Sequence, residues 1–176
     1  MPLLDRSGFK PDAYVRVEDG AIDGVAFALV PWAKLGDALT AKGRDQRIGV
    51  EIPNSISIAE LKLNLRQLSL VSIIFPSFSD GRGFSLARHL RNHGFTGVVR
   101  ATGPLIADQF SYALSCGFDE IDLPEASAAR QPWPQWEAAL RSISHGYQRG
   151  YGDGANILEQ RRARRREAAQ EAPNVA

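Results

Sequence analysis

The segment LVSIIFPSFSDGRGFSLARHLR, residues Leu70–Arg91, contains the pattern from which the fold can be read. It opens with an apolar run typical of a buried β-strand, continues as a polar loop with two glycines, and ends as an amphipathic helix. The same strand–loop–helix pattern occurs before and after it. The repetition predicts a parallel α/β fold with right-handed crossovers.

Five strands are predicted, each followed by a helical segment. They are Val25–Val30, residues 48–52, the strand that begins at Leu70, Val98–Ala101 and Asp119–Leu123. Five such units indicate an open, three-layer α/β structure with a five-stranded parallel sheet.

The polarity of the strands favours one strand order over another. The first strand reads VAFALV and the third is nearly as apolar, whereas the second carries Glu51 and the fifth carries Asp119, Glu120 and Asp122. Central strands of parallel sheets are apolar, so the flavodoxin-like order 2-1-3-4-5 is favoured, with the acidic strands at the edges. The alternative is a half-barrel in the order 1-2-3-4-5, in which an N-terminal hairpin would have to cover the apolar first strand.

The chain divides into three parts. Residues 1–24 form an N-terminal arm with a hairpin, in which Tyr14–Val17 and Ala21–Val25 flank a glycine turn. Residues 25–147 form a single α/β domain. Residues 148–176 are a Gly-rich linker and an Arg-rich tail, expected to be mobile because the tail lacks an apolar face. Its glutamates and its lack of aromatic residues make nucleic-acid binding an unfavoured function.

Composition excludes several classes of protein. The 176 residues carry a net charge of +1, which gives no general attraction to nucleic acid or membranes. A single cysteine, Cys116, excludes an internal disulfide and multi-cysteine metal sites, and indicates a reducing compartment. With no apolar signal segment or membrane span in the sequence, we expect a cytoplasmic protein that does not bind membranes.

The loop after the third strand has the composition of an anion-binding site. Its hydroxyls, glycines and guanidinium group could surround a small oxyanion at the start of the next helix. The candidate residues are Ser77, Ser79, Asp80, Gly81, Arg82 and Gly83. The alternative is that Ser79 or Asp80 caps the helix and the glycines form the turn. A dinucleotide motif is excluded, because Leu86 stands where its third glycine would be.

Arg100 is a charged residue within an otherwise apolar strand. A buried guanidinium group must be paired, and the predicted partners are Asp80, Asp108 and Asp122. Two interpretations follow. In one, Arg82 and Arg100 converge on an anion beside Asp108 and Gln109; in the other, Arg100 forms a structural ion pair.

Other reactive residues predict neither a cofactor nor a metal. Cys116 lies at the end of a predicted helix, where the helix dipole disfavours a thiolate, so it is predicted to pack. His89 and His93 are one helical turn apart, but their helix contains no further metal-binding residue.

The segment Phe75–Leu123 resembles the bacterial DUF934 family. The resemblance rests on FPSFSDGRGFSLARHLR, followed by GVVRATG, the pair Asp108-Gln109, and CGFD; VPWAKL and IGVEIPN extend it towards the N-terminus. The matching positions are Phe75, Pro76, Phe78, Asp80, Gly81, Arg82, Gly83, Ser85, Arg100, Gly103, Asp108, Gln109, Cys116, Gly117 and Asp119. The chain departs from the family pattern at Ser77 and Ser115, where members often carry a basic residue.

The resemblance implies a role in sulfate assimilation and cysteine biosynthesis. Members are encoded beside sulfite reductase and are described as oxidoreductases of sulfite reduction. The sequence offers no cofactor site for such an activity, so the expected function is an accessory protein that binds sulfite reductase, another enzyme of sulfate assimilation, or a small oxyanion. The alternative is a small oxyanion-binding enzyme that uses Asp80, Arg82 and Arg100.

Overall fold

The computed structural model describes residues 2–142. Within them, eight strands form one sheet: β1 Leu3–Asp5, β2 Gly8–Lys10, β3 Val15–Arg16, β4 Phe27–Pro31, β5 Arg47–Pro53, β6 Leu68–Ile74, β7 Val98–Thr102 and β8 Glu120–Asp122. Six α-helices accompany them: α1 Leu35–Ala41, α2 Ile58–Lys62, α3 Arg82–Asn92, α4 Phe110–Ser115, α5 Glu125–Arg130 and α6 Trp133–Ser142. The α/β class predicted from the sequence is confirmed.

The strand order is sequential, and this corrects the favoured prediction. The sheet runs β2-β1-β8-β7-β6-β5-β4-β3, with parallel pairing from β3 to β8 and antiparallel pairing of β1 with β2 and β8. The five predicted parallel strands therefore adopt the order of the alternative, a curled half-barrel, within a mixed sheet of eight strands. The flavodoxin-like order is wrong.

The N-terminal segment supplies both edges of the sheet. Its hairpin is formed by β1 and β2 and pairs with β8, whereas β3 pairs with β4 at the other edge. The edge of the apolar strand β4 is therefore covered, as the half-barrel requires. The covering element is β3 and not the predicted hairpin. The hairpin predicted over residues 14–25 does not form, because Val15–Arg16 is paired with β4 and residues 17–26 hold no strand.

The two faces of the sheet differ in chemistry. One face is apolar and buried, and α1 and α3 contact its strands; it is built from Ala28, Val30, Ile48, Val50, Ile52, Val71, Ile73, Val99, Ala101 and Ile121. The alternate positions form an inner face that is largely polar; it holds Glu51, Ser72, Arg100, Thr102, Glu120 and Asp122. Since side chains alternate along a strand, each strand contributes to both faces.

Contacts across the inner face show that the sheet is curled. The guanidinium group of Arg16, on β3, hydrogen-bonds to Glu51 on β5 and to Asp122 on β8. In a flat sheet β5 and β8 would be about 14 Å apart, at the usual spacing of about 4.8 Å per strand, which one guanidinium group cannot span. The concave side of the half-barrel is thus closed by the side chains of the N-terminal segment.

The helix ends follow the sequence signals in part. Ser57 caps α2 by accepting a 3.2 Å hydrogen bond from Ala59 N, and Gly94 follows α3 with a φ of +80°. Helix α2 ends at Lys62, and β6 begins at Leu68. Helix α5 begins directly after Pro124.

The chain divides into two compact units, Met1–Ala139 and Leu140–Ala176. The sheet and all of the features discussed below belong to the first unit. Of the second, the structure describes only Leu140–Ser142, at the end of α6. The Gly-rich linker and the Arg-rich tail lie outside the described residues.

Candidate functional site

The loop between β6 and α3 is organised by an ion pair between two of its own residues. Asp80 Oδ1 accepts a hydrogen bond of 3.0 Å from Arg82 Nε, and Oδ2 accepts one of 2.7 Å from Nη2. The backbone N–H of Arg82 also donates to Oδ1, at 3.3 Å. The carboxylate thus occupies the donors that the anion-binding hypothesis assigned to an external ligand.

The same pair sets the charge of the loop. The Arg82 guanidinium group, with a smaller contribution from Asn54, holds the pKa of Asp80 well below its usual value. The carboxylate in turn raises the pKa of Arg82. Both groups are therefore charged at neutral pH, and their charges cancel. The Arg82 side chain is 63% exposed, so it also remains accessible to a partner.

The other polar residues predicted for this site form two hydrogen bonds that involve the loop. The hydroxyls of Ser77 and Ser79 are hydrogen-bonded to each other at 3.0 Å. Gln109 donates from Nε2 to the carbonyl oxygen of Phe78 at 2.6 Å, which joins the loop to the 3₁₀ turn before α4. Asp108 lies exposed in that turn. Gln109 therefore contacts the loop through the backbone of Phe78.

The two glycines of the loop have different surroundings. A Cβ atom on Gly83 would overlap the ring of Phe75, with Cε2 only 2.6 Å away, so α3 packs directly on that ring. A Cβ atom on Gly81 would meet nothing closer than Phe84 Cδ2 at 3.9 Å. Gly83 is therefore required for helix packing. The position is too closely packed for an anion to approach.

Arg100 lies away from Arg82, on the inner face of the sheet. Its side chain is 1% exposed; it donates to Asp12 at 2.6 and 2.7 Å and to Glu120 Oε1 at 2.8 Å. Burial alone would lower the pKa of Arg100, but Asp12 and Glu120 raise it above its usual value. The expectation that Arg100 is paired is confirmed. Its partners are not among the three carboxylates predicted.

A polar network extends from Arg100 along the inner face. Lys10 bridges Asp5 and Glu120 at 2.9 and 2.8 Å, and Arg16 bridges Glu51 and Asp122. Ser72 and Thr102 share a 2.6 Å hydrogen bond between their hydroxyls.

Sequence reasoning missed this network, because four of its charged residues belong to the N-terminal segment, namely Asp5, Lys10, Asp12 and Arg16. The available signal was the alternation of charged and apolar residues in β5, β7 and β8.

An aromatic cluster beside the loop ends in one exposed side chain, Tyr112, and the loop itself carries a second exposed aromatic residue, Phe78. The rings of Phe75, Phe84 and Phe118 pack together, and the ring of Tyr112 contacts Phe84 at 5.0 Å between centroids. Tyr112 is 55% exposed and Phe78 is 53% exposed. The carbonyl oxygen of Phe78 accepts the hydrogen bond from Gln109, which lies one helical turn before Tyr112. The neighbouring Cys116 raises the pKa of Tyr112, so its phenol is neutral at pH 7. The loop therefore presents aromatic surface.

Comparison with known protein families identifies the family of this chain. A family model described as "Bacterial protein of unknown function (DUF934)" matches residues 49–157. The chain belongs to the DUF934 family. Among curated proteins, no match is found.

Several residues that carry the DUF934 resemblance have structural roles. Gly103, with a φ of +139°, leaves room for the carbonyl oxygen of Phe75, and Gly117, with a φ of +103°, lies against the side chain of Arg91. Asp119 accepts hydrogen bonds from Arg91 at 2.5 Å and from Val99 N at 2.8 Å. These contacts fix the connections around α3 and β7.

Of the reactive side chains of this DUF934 protein, Cys116 is buried, whereas His89 and His93 are exposed. Cys116 is buried, with Arg88 Nη2 at 3.8 Å from its sulfur. His93 contacts the carbonyl oxygen of His89 through Nδ1 at 2.8 Å. Over residues 2–142, His, Cys, Asp and Glu form no group of three that could hold a metal ion. In the same range, no helix is long and apolar enough to cross a bilayer.

Proposed function

We propose that this DUF934 protein is an accessory protein of assimilatory sulfite reduction that binds a protein partner through an aromatic docking surface. This surface comprises Phe78 and Tyr112, with the Asp80–Arg82 ion pair at its border. The partner is sulfite reductase or another enzyme of sulfate assimilation, which follows from the association that the family resemblance implies.

The observation that carries the proposal is the exposure of two aromatic side chains beside a loop whose polar groups are already paired. Aromatic residues bring a large apolar area and few rotatable bonds, and they are enriched where proteins bind one another. Arg82 extends from the same loop, and arginine is also frequent among the residues that dominate binding energy. An exposed aromatic patch rimmed by a charged pair is typical of an interaction surface.

The alternative function, an oxyanion-binding enzyme, has less support from the geometry. Asp80 accepts hydrogen bonds from two donors of Arg82. On the inner face, Asp12 and Glu120 accept the hydrogen bonds of Arg100. For both arginines to bind one anion, two charge-assisted ion pairs would have to break.

Binding of purified sulfite reductase to immobilised protein tests the proposal. We expect a complex with the unmodified protein and a loss of at least about tenfold in affinity for Phe78→Ala or Tyr112→Ala, since central aromatic residues commonly contribute about 2 kcal/mol or more. Leu63→Ala is the matched control, because Leu63 is an apolar side chain that is 84% exposed on a different element. Its affinity should be unchanged.

The same experiment separates the two functions. Retention of full affinity by the variant that carries both Phe78→Ala and Tyr112→Ala would refute the docking surface. Calorimetry with sulfite and sulfate tests the alternative: a binding heat that Arg82→Met abolishes, in a protein that does not bind the reductase, would favour the oxyanion-binding enzyme.

A further inference from the structure

A concave site lies at the opposite end of the strands from the aromatic docking surface. It is a cleft of about 370 Å³ between the loop that precedes β5 and the turn that precedes β6. Four of its lining side chains are cationic, Lys42, Arg44, Arg47 and Arg66, and one is acidic, Asp45. We refer to it as the basic cleft.

The cations of the basic cleft are concentrated well beyond the average for the chain. The whole protein has a formal net charge of +1, yet this one depression holds four cations against a single carboxylate. Among the ion pairs of residues 2–142, none involves Arg44, Arg47 or Arg66. Like charges held together without partners repel one another, and an anionic ligand would relieve that repulsion.

The backbone that carries these cations is held in place by specific hydrogen bonds. Gln46 donates from Nε2 to the carbonyl oxygens of Ile22 and Val25 at 2.7 and 3.0 Å, and its Oε1 accepts from Gly43 N at 2.8 Å. The N–H of Arg47 donates to the carbonyl oxygen of Ala26 at 2.8 Å. The loop before β5 is therefore fixed on the sheet.

The two walls of the basic cleft are also held together. The first residue pair between β5 and β6 is Ile48 with Leu68, which places Arg47 beside the end of the turn that contains Arg66. Lys42 Nζ lies 3.4 Å from the carbonyl oxygen of Gln67, so it spans from one wall to the other and retains two further N–H donors. The four cationic residues thus line a common space.

We propose that the basic cleft binds a small, multiply charged anion of the diphosphate class. Guanidinium groups bind phosphoryl oxygens in a bidentate manner, and three of them with one ammonium group match the several charges of a diphosphate. The volume falls within the range of small-ligand sites, about 300–1,000 Å³. This site is separate from the aromatic docking surface and does not depend on the proposed function.

Calorimetric titration of the full chain with inorganic pyrophosphate tests the site. One-site binding is expected, with orthophosphate at least about tenfold weaker at the same ionic strength, because it presents fewer charges to the cleft. The affinity should fall as the ionic strength rises from about 0.01 M to about 0.15 M, which shortens the Debye length from about 30 Å to about 8 Å.

Matched variants locate the binding. Arg66→Gln removes one guanidinium group from the basic cleft and should weaken pyrophosphate binding at least about tenfold. Arg6→Gln removes the same charge from the turn between β1 and β2, at an edge of the sheet and away from β5 and β6, and should change affinity by less than about twofold. Phe78→Ala should bind pyrophosphate as the unmodified protein does.

Three results would overturn the inference. They are the absence of a binding heat at millimolar pyrophosphate, equal affinities for pyrophosphate and orthophosphate, and equal losses in Arg66→Gln and Arg6→Gln, which would indicate a general surface-charge effect. Circular dichroism of each variant establishes that the chain is folded before it is titrated.

Discussion

Replacement of Arg100 by methionine is expected to destabilise the protein strongly. Arg100 makes three charge-assisted hydrogen bonds of 2.6–2.8 Å, two to Asp12 and one to Glu120, and its side chain is 1% exposed. Methionine preserves most of the volume but removes all three bonds, leaving the buried Glu120 with Lys10 as its remaining ion-pair partner among residues 2–142. Removing one partner of a buried ion pair costs about 3–5 kcal/mol of unfolding free energy.

Urea denaturation followed by circular dichroism measures this effect. With a denaturant slope of about 2 kcal/mol/M, a loss of about 4 kcal/mol lowers the midpoint by about 2 M. Arg82→Met is the matched control, since Arg82 lies in an exposed ion pair, and its midpoint should stay close to that of the unmodified protein.

A second variant tests the cause of the loss. If the Glu120 carboxylate, left with Lys10 alone, is responsible, Arg100→Met combined with Glu120→Gln should recover about half of the lost stability, because an amide is buried more easily than a charge. A midpoint for Arg100→Met within about 0.5 M of the unmodified protein would refute the reasoning, since that shift corresponds to only about 1 kcal/mol.

Three further predictions follow from individual contacts. Gly83→Ala should lower the unfolding free energy by about 1–3 kcal/mol, because its methyl group overlaps an aromatic ring, whereas Gly81→Ala should be neutral; thermal denaturation of the two variants compares them. Burial would raise the pKa of Asp12, but its ion pair with Arg100 lowers that pKa. The stability that Asp12 contributes is therefore present above its unfolded pKa of about 3.9 and is lost as the pH falls below that value. The difference in urea midpoint between the unmodified protein and Asp12→Asn should shrink over that range. Cys116 is buried, so its thiol should react with a maleimide only in denaturant, as mass spectrometry would show.

The sequence indicated the units of the fold better than their arrangement. Each βα unit produced its own signal, an apolar run and then helical periodicity, because these are local consequences of burial. Strand order depends on which strands pair, and the order was inferred from polarity alone. Glu51 and the acidic residues of β8 were interpreted as marks of edge strands, whereas they point into a polar interior.

The candidate loop shows a similar division between local and distant information. The alternatives of an anion-binding loop and a helix cap at Ser79 or Asp80 both followed from the composition of residues 77–83. The structure shows neither: Gly81 is the N-cap of α3, and the Asp80 carboxylate pairs with the Arg82 guanidinium group. That pairing depends on backbone conformation, which composition does not specify. The exposed aromatic surface was missed because it depends on the hydrogen bond from Gln109 to the carbonyl oxygen of Phe78, which joins segments 31 residues apart in sequence.

The charge pattern of the strands contains information that favours the half-barrel. Arg100 and Glu120 occupy paired positions on adjacent strands, and so do Thr102 and Asp122, so alternate residues of neighbouring strands are complementary. In the flavodoxin-like order helices would cover both faces, and each charged position would face apolar helix surface at a large desolvation cost. A sequential order places every crossover helix on one face and leaves the other for the charged N-terminal segment, whose Arg16 pairs with both Glu51 and Asp122. Charged residues at alternate positions in several successive strands therefore predict a polar concave face.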